Sequence, residues 1–293
     1  MIIDIHAHTS NHKLWNFHVP TATIEDLEEQ AKLYGIYRIF LMATYFPFKQ
    51  SGVPNMELLS RISGHPLFGM FGSLDLTANF QKGIAELKFL LKEEKIQGIK
   101  LYFGYQDAHP ADSAIFPVYQ IAEQFQVPIM CHGGELHHCC PPEQRKKGQL
   151  RCTYKTCPLD KLTYLSKPNQ FTRAVAKFPK VKFIISHLAN DYFDELRELM
   201  FEFPNVYTDI SGQFVSGSGE DTPNYKKQIV QEIREFLALP EGKNRLLFGS
   251  DFPIQSYEDS IALVNALGLS KEDEENIFYK NALNLLEGRR NKQ

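Results

Sequence analysis

The sequence predicts a single α/β domain over residues 1–293, folded as one (β/α)8 TIM barrel with a long insertion after the fifth strand. Apolar runs alternate with helical patterns eight times, and most runs are apolar throughout, as in parallel strands covered on both faces. Metal-ligand residues also end the first and eighth runs. They can meet only if those strands are neighbours, which favours a closed barrel over a doubly wound open sheet.

The elements of the first half follow from local signals. The first strand is the run Met1–His8, and Thr23 is the predicted N-cap of a helix that Gly35 closes. Strands are then predicted at 36–44, 67–74, 96–102 and 127–132, with helices at 56–63, 79–94 and 113–125 between them.

The alternation stops at 133–167, a segment too long for an ordinary connection. It resumes with helices at 169–178, 191–203, 224–238, 257–266 and 271–287, and strands at 181–187, 205–210 and 245–251. The insertion should cover the carboxyl ends of the strands, because loops on that face set specificity in barrel enzymes. The glycine-rich stretch 212–219 lacks a complete phosphate-loop motif, so a mobile loop beside the site is expected there.

Composition narrows the classes of function. The net charge of -3 gives no indication of a nucleic-acid partner, and no apolar run approaches the roughly 18 residues of a membrane span. The chain enters its first strand at once, so we expect no cleaved signal peptide and a cytoplasmic protein. The expected partner is a small-molecule substrate, and a homo-oligomer remains open.

Two histidines at the end of the first strand indicate a metal site. His6 and His8 are two residues apart and would project from the same face of a strand. Three later strand-like runs end at His132, His187 and Asp251. Imidazole and carboxylate groups at the carboxyl ends of barrel strands are suited to a divalent cation, with Zn²⁺, Mn²⁺ and Fe²⁺ all compatible.

An ordered set of motifs carries a family resemblance. The motifs are His6-Ala7-His8, Gly98-Ile99-Lys100-Leu101, His132-Gly133-Gly134, Ser186-His187-Leu188 and Gly249-Ser250-Asp251-Phe252-Pro253. Together they resemble the amidohydrolase superfamily, and more narrowly the amidohydrolase-related branch with non-oxidative aromatic acid decarboxylases and lactone hydrolases. The resemblance extends from Met1 to the segment 277–282.

The resemblance implies roles for these residues. His6, His8, His132 and Asp251 would hold one divalent metal, most simply Zn²⁺. Asp251 would also act as general base towards a metal-activated water, and His187 would orient or protonate the substrate.

Lys100 leaves two arrangements open. In binuclear relatives a carbamylated lysine at this position bridges two metals, and Lys100 and His187 would then also be ligands. In the mononuclear arrangement, which we favour, the Lys100 ammonium would bind an anionic substrate group such as a carboxylate. Tyr102, Glu135 and Asn190 follow strand ends and are further candidates for substrate contact, as is His109.

The insertion is rich in thiols. Cys139, Cys140, Cys152 and Cys157 crowd into one segment with His137 and His138. Adjacent cysteines do not match the spacing of common zinc sites, so reduced thiols are expected and a second, structural zinc site is the alternative.

The function predicted from the sequence is metal-dependent hydrolysis of an amide, ester or lactone in a small, carboxylate-bearing substrate. Metal-dependent decarboxylation is the alternative within the same branch. A non-catalytic metal-binding barrel is the third hypothesis, from a different class. Carbon dioxide release distinguishes the first two reactions.

Overall fold

The computed structural model describes residues 1–14, 17–46, 52–138, 140, 146–147 and 156–287. Eight parallel strands form one sheet whose spatial order is the order of the sequence. The strands are β1 (Ile2–Ala7), β2 (Ile36–Met42), β3 (Phe68–Gly72), β4 (Gly98–Leu101), β5 (Ile129–Cys131), β6 (Phe183–Ile185), β7 (Val206–Asp209) and β8 (Leu246–Leu247). The predicted TIM barrel is confirmed.

The barrel closes between its first and last strands. The Ile5 N–H donates to the Phe248 carbonyl at 3.0 Å, and the Asp251 N–H donates to the His6 carbonyl at 2.7 Å. β8 is shorter than the predicted 245–251, because the chain leaves regular strand geometry before Asp251, which has a φ of 55°. The backbone bonds nevertheless continue to the residues that line the site.

Helices alternate with the strands as predicted. They are α1 (Ile24–Tyr34), α2 (Asn55–Ile62), α3 (Phe80–Lys92), α4 (Phe116–Phe125), α5 (Thr172–Lys177), α6 (Phe193–Glu202), α7 (Pro223–Leu237), α8 (Gly242–Arg245), α9 (Tyr257–Asn265), α10 (Lys271–Glu275) and α11 (Asn281–Glu287). Thr23 and Asp26 form a capping box at the start of α1, and Gly35 ends it with a φ of 67°. None of the helices in the described part of the chain has the length and apolar character needed to span a bilayer.

The final predicted helix, 271–287, is divided in three. A π-helical turn, Asn276–Lys280, separates α10 from α11. The α11 residue Ala282 packs with Ile3, Met130 and Leu247 from the strands. The C-terminal helix therefore packs against the cluster of strand side chains that lies below the site.

The described parts of the insertion contain two short 3-10 helices, at Pro158–Lys161 and Thr163–Ser166, and a third, Pro168–Phe171, follows the insertion directly. The last of these replaces the first turn of the predicted helix 169–178, so α5 begins only at Thr172. Leu136 and Leu159 pack against Tyr102 and Tyr105, which follow β4. These parts of the insertion lie at the carboxyl ends of the strands, as expected. Cys139 and Cys152 lie outside the described residues.

Asp4 braces the closure of the barrel. Its carboxylate accepts hydrogen bonds from the Ser250 hydroxyl at 2.6 Å and the Tyr257 hydroxyl at 2.8 Å. It also accepts from the backbone N–H groups of His6 and Ser250. Burial raises the pKa of Asp4 to about 7, although all four of these donors favour the carboxylate. One buried side chain thus joins β1, the end of β8 and α9.

We predict that Asp4→Ala lowers the free energy of unfolding by roughly 3–5 kcal/mol, because it leaves several buried donors without an acceptor. Asp4→Asn should cost only about 1–2 kcal/mol, because the amide keeps one acceptor oxygen and the two hydroxyls can reorient. Urea denaturation measures both values. Asp194→Ala removes a carboxylate that is 90% exposed and should change stability by less than about 1 kcal/mol. Equal losses for the two Asp4 variants would contradict this account.

Candidate metal centre and substrate cavity

A cavity of about 500 Å³ opens at the carboxyl ends of the strands. All but one of the candidate site residues predicted from the sequence line it: His6, His8, Lys100, Tyr102, His132, Glu135, His187, Asn190 and Asp251. His109 does not line the cavity, since its ring binds the Gln170 side chain at 2.8 Å and accepts from the Ala111 N–H. Its expected contact with substrate is therefore not supported.

His6, His8 and Asp251 converge at the floor of the cavity. Asp251 Oδ1 lies 3.2 Å from His8 Nε2 and 3.7 Å from His6 Nε2. Two ligands bound to one zinc ion at about 2.0–2.2 Å lie roughly 3–4 Å apart, so the spacing suits a shared cation. The inward direction of His6 does not follow from simple strand alternation, because its neighbour Ile5 also packs in the barrel interior. The register of β1 on β2 shifts between Asp4 and Ala7, which lets consecutive residues face inward.

Asp209, which was not identified from the sequence, orients His6. It is fully buried at the end of β7, and its Oδ2 lies 3.3 Å from His6 Nδ1. When Nδ1 carries the proton and donates to Asp209, the lone pair of His6 is on Nε2, where Asp251 and His8 converge. The signal was available, since the run Val206–Asp209 is another strand that ends on a carboxylate.

Asp209 also holds the turn that carries His187. Its Oδ1 accepts from the His187 backbone N–H at 3.1 Å and from the N–H and hydroxyl of Ser211. His187 and the two residues after it have φ values between 52° and 64°, a region that non-glycine residues rarely occupy. The Ser211 hydroxyl lies 2.9 Å from His187 Nδ1 and 3.0 Å from His6 Nδ1. One carboxylate and one hydroxyl therefore set the positions of both rings.

His132 is less directly placed than the other expected ligands. Its ring centroid lies 5.0 Å from that of His187 and 4.8 Å from that of Tyr105. Its Nε2 lies 3.1 Å from the Glu135 carbonyl, and a proton on Nε2 would leave the lone pair on Nδ1. Among the described residues, ligand atoms converge within 4.8 Å in two groups that include His6, one with His8 and Asp251 and the other with His187 and Asp209. His132 belongs to neither group.

Lys100 is fully buried, which excludes a lysine that merely reaches solvent. Its Nζ lies 3.2 Å from His6 Nε2 and donates to the Ser186 hydroxyl at 3.0 Å. Burial lowers the pKa of Lys100 to about 8, opposed by the charges of Asp209 and Asp251. His6 Nε2 thus faces both the Lys100 ammonium and the Asp251 carboxylate.

The charge states suit metal ligation. Burial and the nearby Lys100 lower the pKa of His6 to about 3, and burial also lowers the pKa values of His132 and His187. Burial opposes ionisation of Asp251, but the hydrogen bond from His8 and the neighbouring imidazoles outweigh it and hold its pKa well below the usual range. Neutral imidazoles beside a carboxylate are the forms that bind a divalent metal.

The cavity lining also contains hydrogen-bond acceptors, on Asn190 and Gln213. Asn190 Oδ1 and Gln213 Oε1 are buried and have no hydrogen-bond partner among the described residues. The Asn190 amide nitrogen is held by Tyr225 at 2.9 Å, which fixes the direction of its oxygen. Tyr102 contributes its ring, since its hydroxyl donates to the Ala43 carbonyl.

The charges of the lining are divided between the floor and the mouth. Glu135, Asp191 and Glu220 also line the cavity, and these three residues are exposed, whereas Lys100 is fully buried. Lys100 is the single lysine or arginine among the described lining residues. The lining thus combines one buried cation with several carboxylates.

The fold and site define a class of protein: a TIM barrel with a histidine–aspartate cluster at its strand ends that is suited to a divalent cation. A model of the amidohydrolase family matches residues 3–288. The chain therefore belongs to the amidohydrolase family. Members of this family are enzymes, either hydrolases or decarboxylases, and usually bind a divalent metal. A comparison with curated proteins found no match.

Solved structures with this fold include both kinds of enzyme. An uncharacterised TIM-barrel protein from Bordetella bronchiseptica is 18% identical, with a TM-score of 0.71 over 99% of each chain. A candidate 2-pyrone-4,6-dicarboxylic acid hydrolase from Pseudomonas putida is 19% identical, with a TM-score of 0.66 over 98% of this chain and 97% of that chain. A 2,6-dihydroxybenzoate decarboxylase from Rhizobium is 15% identical, with a TM-score of 0.67 over 98% of each chain. At these identities the likeness concerns the fold alone.

We predict that Asp209→Asn weakens binding of a divalent metal by about 10–100-fold while the protein stays folded. The amide oxygen can keep the donors at His187 and Ser211, but the amide nitrogen then faces His6 Nδ1. This pairing favours the His6 tautomer with its proton on Nε2 and removes the lone pair from the metal-facing nitrogen. Metal titration by calorimetry measures the change. Ser211→Ala, which keeps the carboxylate, should have a smaller effect, and unchanged affinity in Asp209→Asn would refute the proposed orientation.

Proposed function

We propose that this protein is a metal-dependent hydrolase that opens an amide, ester or lactone in a small substrate bearing one carboxylate. The observation that carries the proposal is the convergence of His6, His8 and Asp251 at the floor of an open cavity with His187 beside them. A ligand cluster that faces a cavity leaves room for water and substrate, whereas a purely structural metal site is closed by its ligands. The third hypothesis, a non-catalytic metal-binding barrel, is disfavoured by the same feature.

The residues present fit a single divalent cation. His6, His8 and Asp251 would hold it through Nε2, Nε2 and Oδ1, and His132 is the proposed fourth ligand. Zinc is the simplest choice for this nitrogen and oxygen set, with manganese and iron also compatible. A metal bound there would supply a Lewis acid that polarises a substrate carbonyl and lowers the pKa of water. Binding requires His6 Nε2 to exchange its contact with Lys100 for the cation.

Proton transfer is assigned to His187 and Asp251. Burial keeps the His187 imidazole neutral, so it can accept a proton and return it to the leaving group. Its Nδ1 is held by Ser211, which leaves Nε2 as the atom that exchanges the proton. Asp251 remains ionised and is proposed both to bind the metal and to act as general base towards the attacking water.

Substrate recognition is proposed to use opposite ends of the cavity. The Lys100 ammonium would bind the carboxylate near the floor, with Ser186 holding its position. The unpaired oxygens of Asn190 and Gln213 would accept from a hydroxyl or amine on the substrate. Tyr102 would contribute its ring face and Glu135 its charge at the mouth. The carboxylates at the mouth disfavour a second anionic group in the substrate.

Decarboxylation of an aromatic acid is the second candidate. It is favoured by the rings of Phe46, Tyr102 and Tyr105, whose centroids lie 5.1–6.4 Å apart on one side of the cavity. A flat aromatic substrate could stack there with its carboxylate towards Lys100. The metal-loaded protein should therefore be assayed against lactones, esters, amides and hydroxybenzoates. Water-dependent ring opening without carbon dioxide supports hydrolysis, and carbon dioxide release with no hydrolysis would replace it with the second candidate.

We predict that His187→Asn keeps close to the wild-type metal content but lowers kcat by about 10²–10⁴-fold, because it removes the proton-transfer group. His132→Asn should lose metal as well as activity. Metal content is measured after gel filtration, and kcat on the best substrate of the panel. A His187→Asn protein isolated without metal would instead make His187 a ligand and favour a binuclear site bridged by carbamylated Lys100.

We predict that Lys100→Met raises KM for the carboxylate substrate by about 10–100-fold, the loss of one charge-assisted hydrogen bond of about 1.5–3 kcal/mol. The neutral methyl ester of that substrate should be affected far less, because it has no charge for the ammonium to bind. Metal content should stay at the wild-type level. Loss of metal from Lys100→Met, together with a bicarbonate-derived carbon signal on Lys100 in the wild-type protein, would contradict the mononuclear arrangement.

A further inference from the structure

Outside the cavity, three different metal-ligand groups meet in the insertion. Cys157 Sγ lies 3.4 Å from His138 Nδ1, and Asp160 Oδ1 lies 3.8 Å from the same nitrogen. All three ligand atoms lie within 4.8 Å of one another. We propose that His138, Cys157 and Asp160 form a second divalent-metal site, suited to zinc and separate from the catalytic centre.

The spacing is that of ligands around one ion. Zinc bonds of about 2.3 Å to sulfur and 2.0–2.1 Å to nitrogen place the two ligand atoms roughly 3.5 Å apart in tetrahedral geometry. The observed separation of Cys157 and His138 is close to this value. A thiolate, an imidazole and a carboxylate also form a donor set that zinc accepts and that magnesium and calcium do not favour.

A nucleophilic triad does not fit the same atoms. In a Cys–His–Asp relay, the thiol and the carboxylate contact opposite nitrogens of the imidazole, so that a proton can pass through the ring. Here Cys157 and Asp160 both approach Nδ1 of His138. Atoms that converge on one point are arranged to surround an ion rather than to relay a proton.

The three ligand side chains of this second site differ in how far they are exposed to solvent. Cys157 is only 8% exposed and the His138 side chain 11%, whereas Asp160 is 45% exposed. A site with two covered ligands and one open side can exchange an ion with solvent and can retain water as a further ligand. Because the cluster does not line the substrate cavity, an ion bound there would not act on the substrate and would instead link His138, Cys157 and Asp160 to one another.

Metal binding would join two distant parts of the insertion. His138 and Cys157 are 19 residues apart in sequence, and the intervening chain would become a closed loop. His137, next to one ligand, lines the cavity, and its backbone N–H donates to the Tyr105 hydroxyl at 2.6 Å. Cys157 itself packs with Tyr102 and Leu136. The second site would therefore fix one wall of the substrate cavity.

Cobalt substitution tests this site separately from the catalytic one. The protein is stripped of metal with a chelator and titrated with Co²⁺. A thiolate ligand gives an intense near-ultraviolet charge-transfer band, which the nitrogen and oxygen ligands of the cavity cannot produce. The band should appear in the wild-type protein and persist in His8→Asn, which disables the cavity site.

The variants decide which thiol is responsible. Cys157→Ser should abolish the band and remove one equivalent of tightly held zinc, whereas Cys131→Ala, which removes a buried thiol of β5, should keep both. Asp160→Asn alters a half-exposed side chain, so the protein should fold normally and bind Co²⁺ at least about tenfold more weakly. Absence of the band in wild-type protein, or its survival in Cys157→Ser, would overturn the proposal, and loss of catalysis alone would not.

Discussion

Closure of the barrel between β1 and β8 is the constraint on which the rest of the site depends. His6 and Asp251 are more than 240 residues apart in sequence, yet the Asp251 N–H donates to the His6 carbonyl at 2.7 Å. The two side chains therefore emerge from adjacent points on the barrel rim. Asp4 stabilises this seam from its outer side, because Tyr257 of α9 donates to the same carboxylate as Ser250. If the hydrogen bonds between β1 and the end of β8 were lost, His6 and Asp251 would move apart even though neither side chain had been altered.

The site also depends on a balance of buried charge. Asp209 and Asp251 are carboxylates held ionised beside His6, while Lys100 supplies one positive charge from the neighbouring interior. A divalent cation adds two further positive charges, so the two carboxylates come nearest to neutralising the site when the imidazoles are neutral. The lowered pKa values of His6 and His187 meet this condition. The geometry of the site and the protonation states of its residues thus both favour a divalent cation.

The sequence predicted the barrel and the charged and histidine residues at the centre of the site, because strand ends in a parallel barrel all face one side. His6, His132, His187 and Asp251 were found through that regularity. Asp209 obeys the same rule but was missed, because the run before it, with Tyr207 and Thr208, is less apolar than the other strands. The details that sequence periodicity does not encode are the register shift in β1 and the left-handed turn at His187. Both depend on contacts with residues far away in sequence.

The ligand role of His132 illustrates what strand-end position leaves open. Residues at strand ends share a face, but the choice between two ring nitrogens depends on local partners such as the Glu135 carbonyl. That carbonyl belongs to the first residues of the insertion. Their backbone is in turn held by the turn that follows β6, since the Glu135 N–H donates to the Asn190 carbonyl at 2.5 Å. The insertion therefore contributes to the site through its backbone as well as by covering the cavity. Its conformation and the orientation of His132 are physically linked, so whatever orders the insertion also orients a proposed metal ligand.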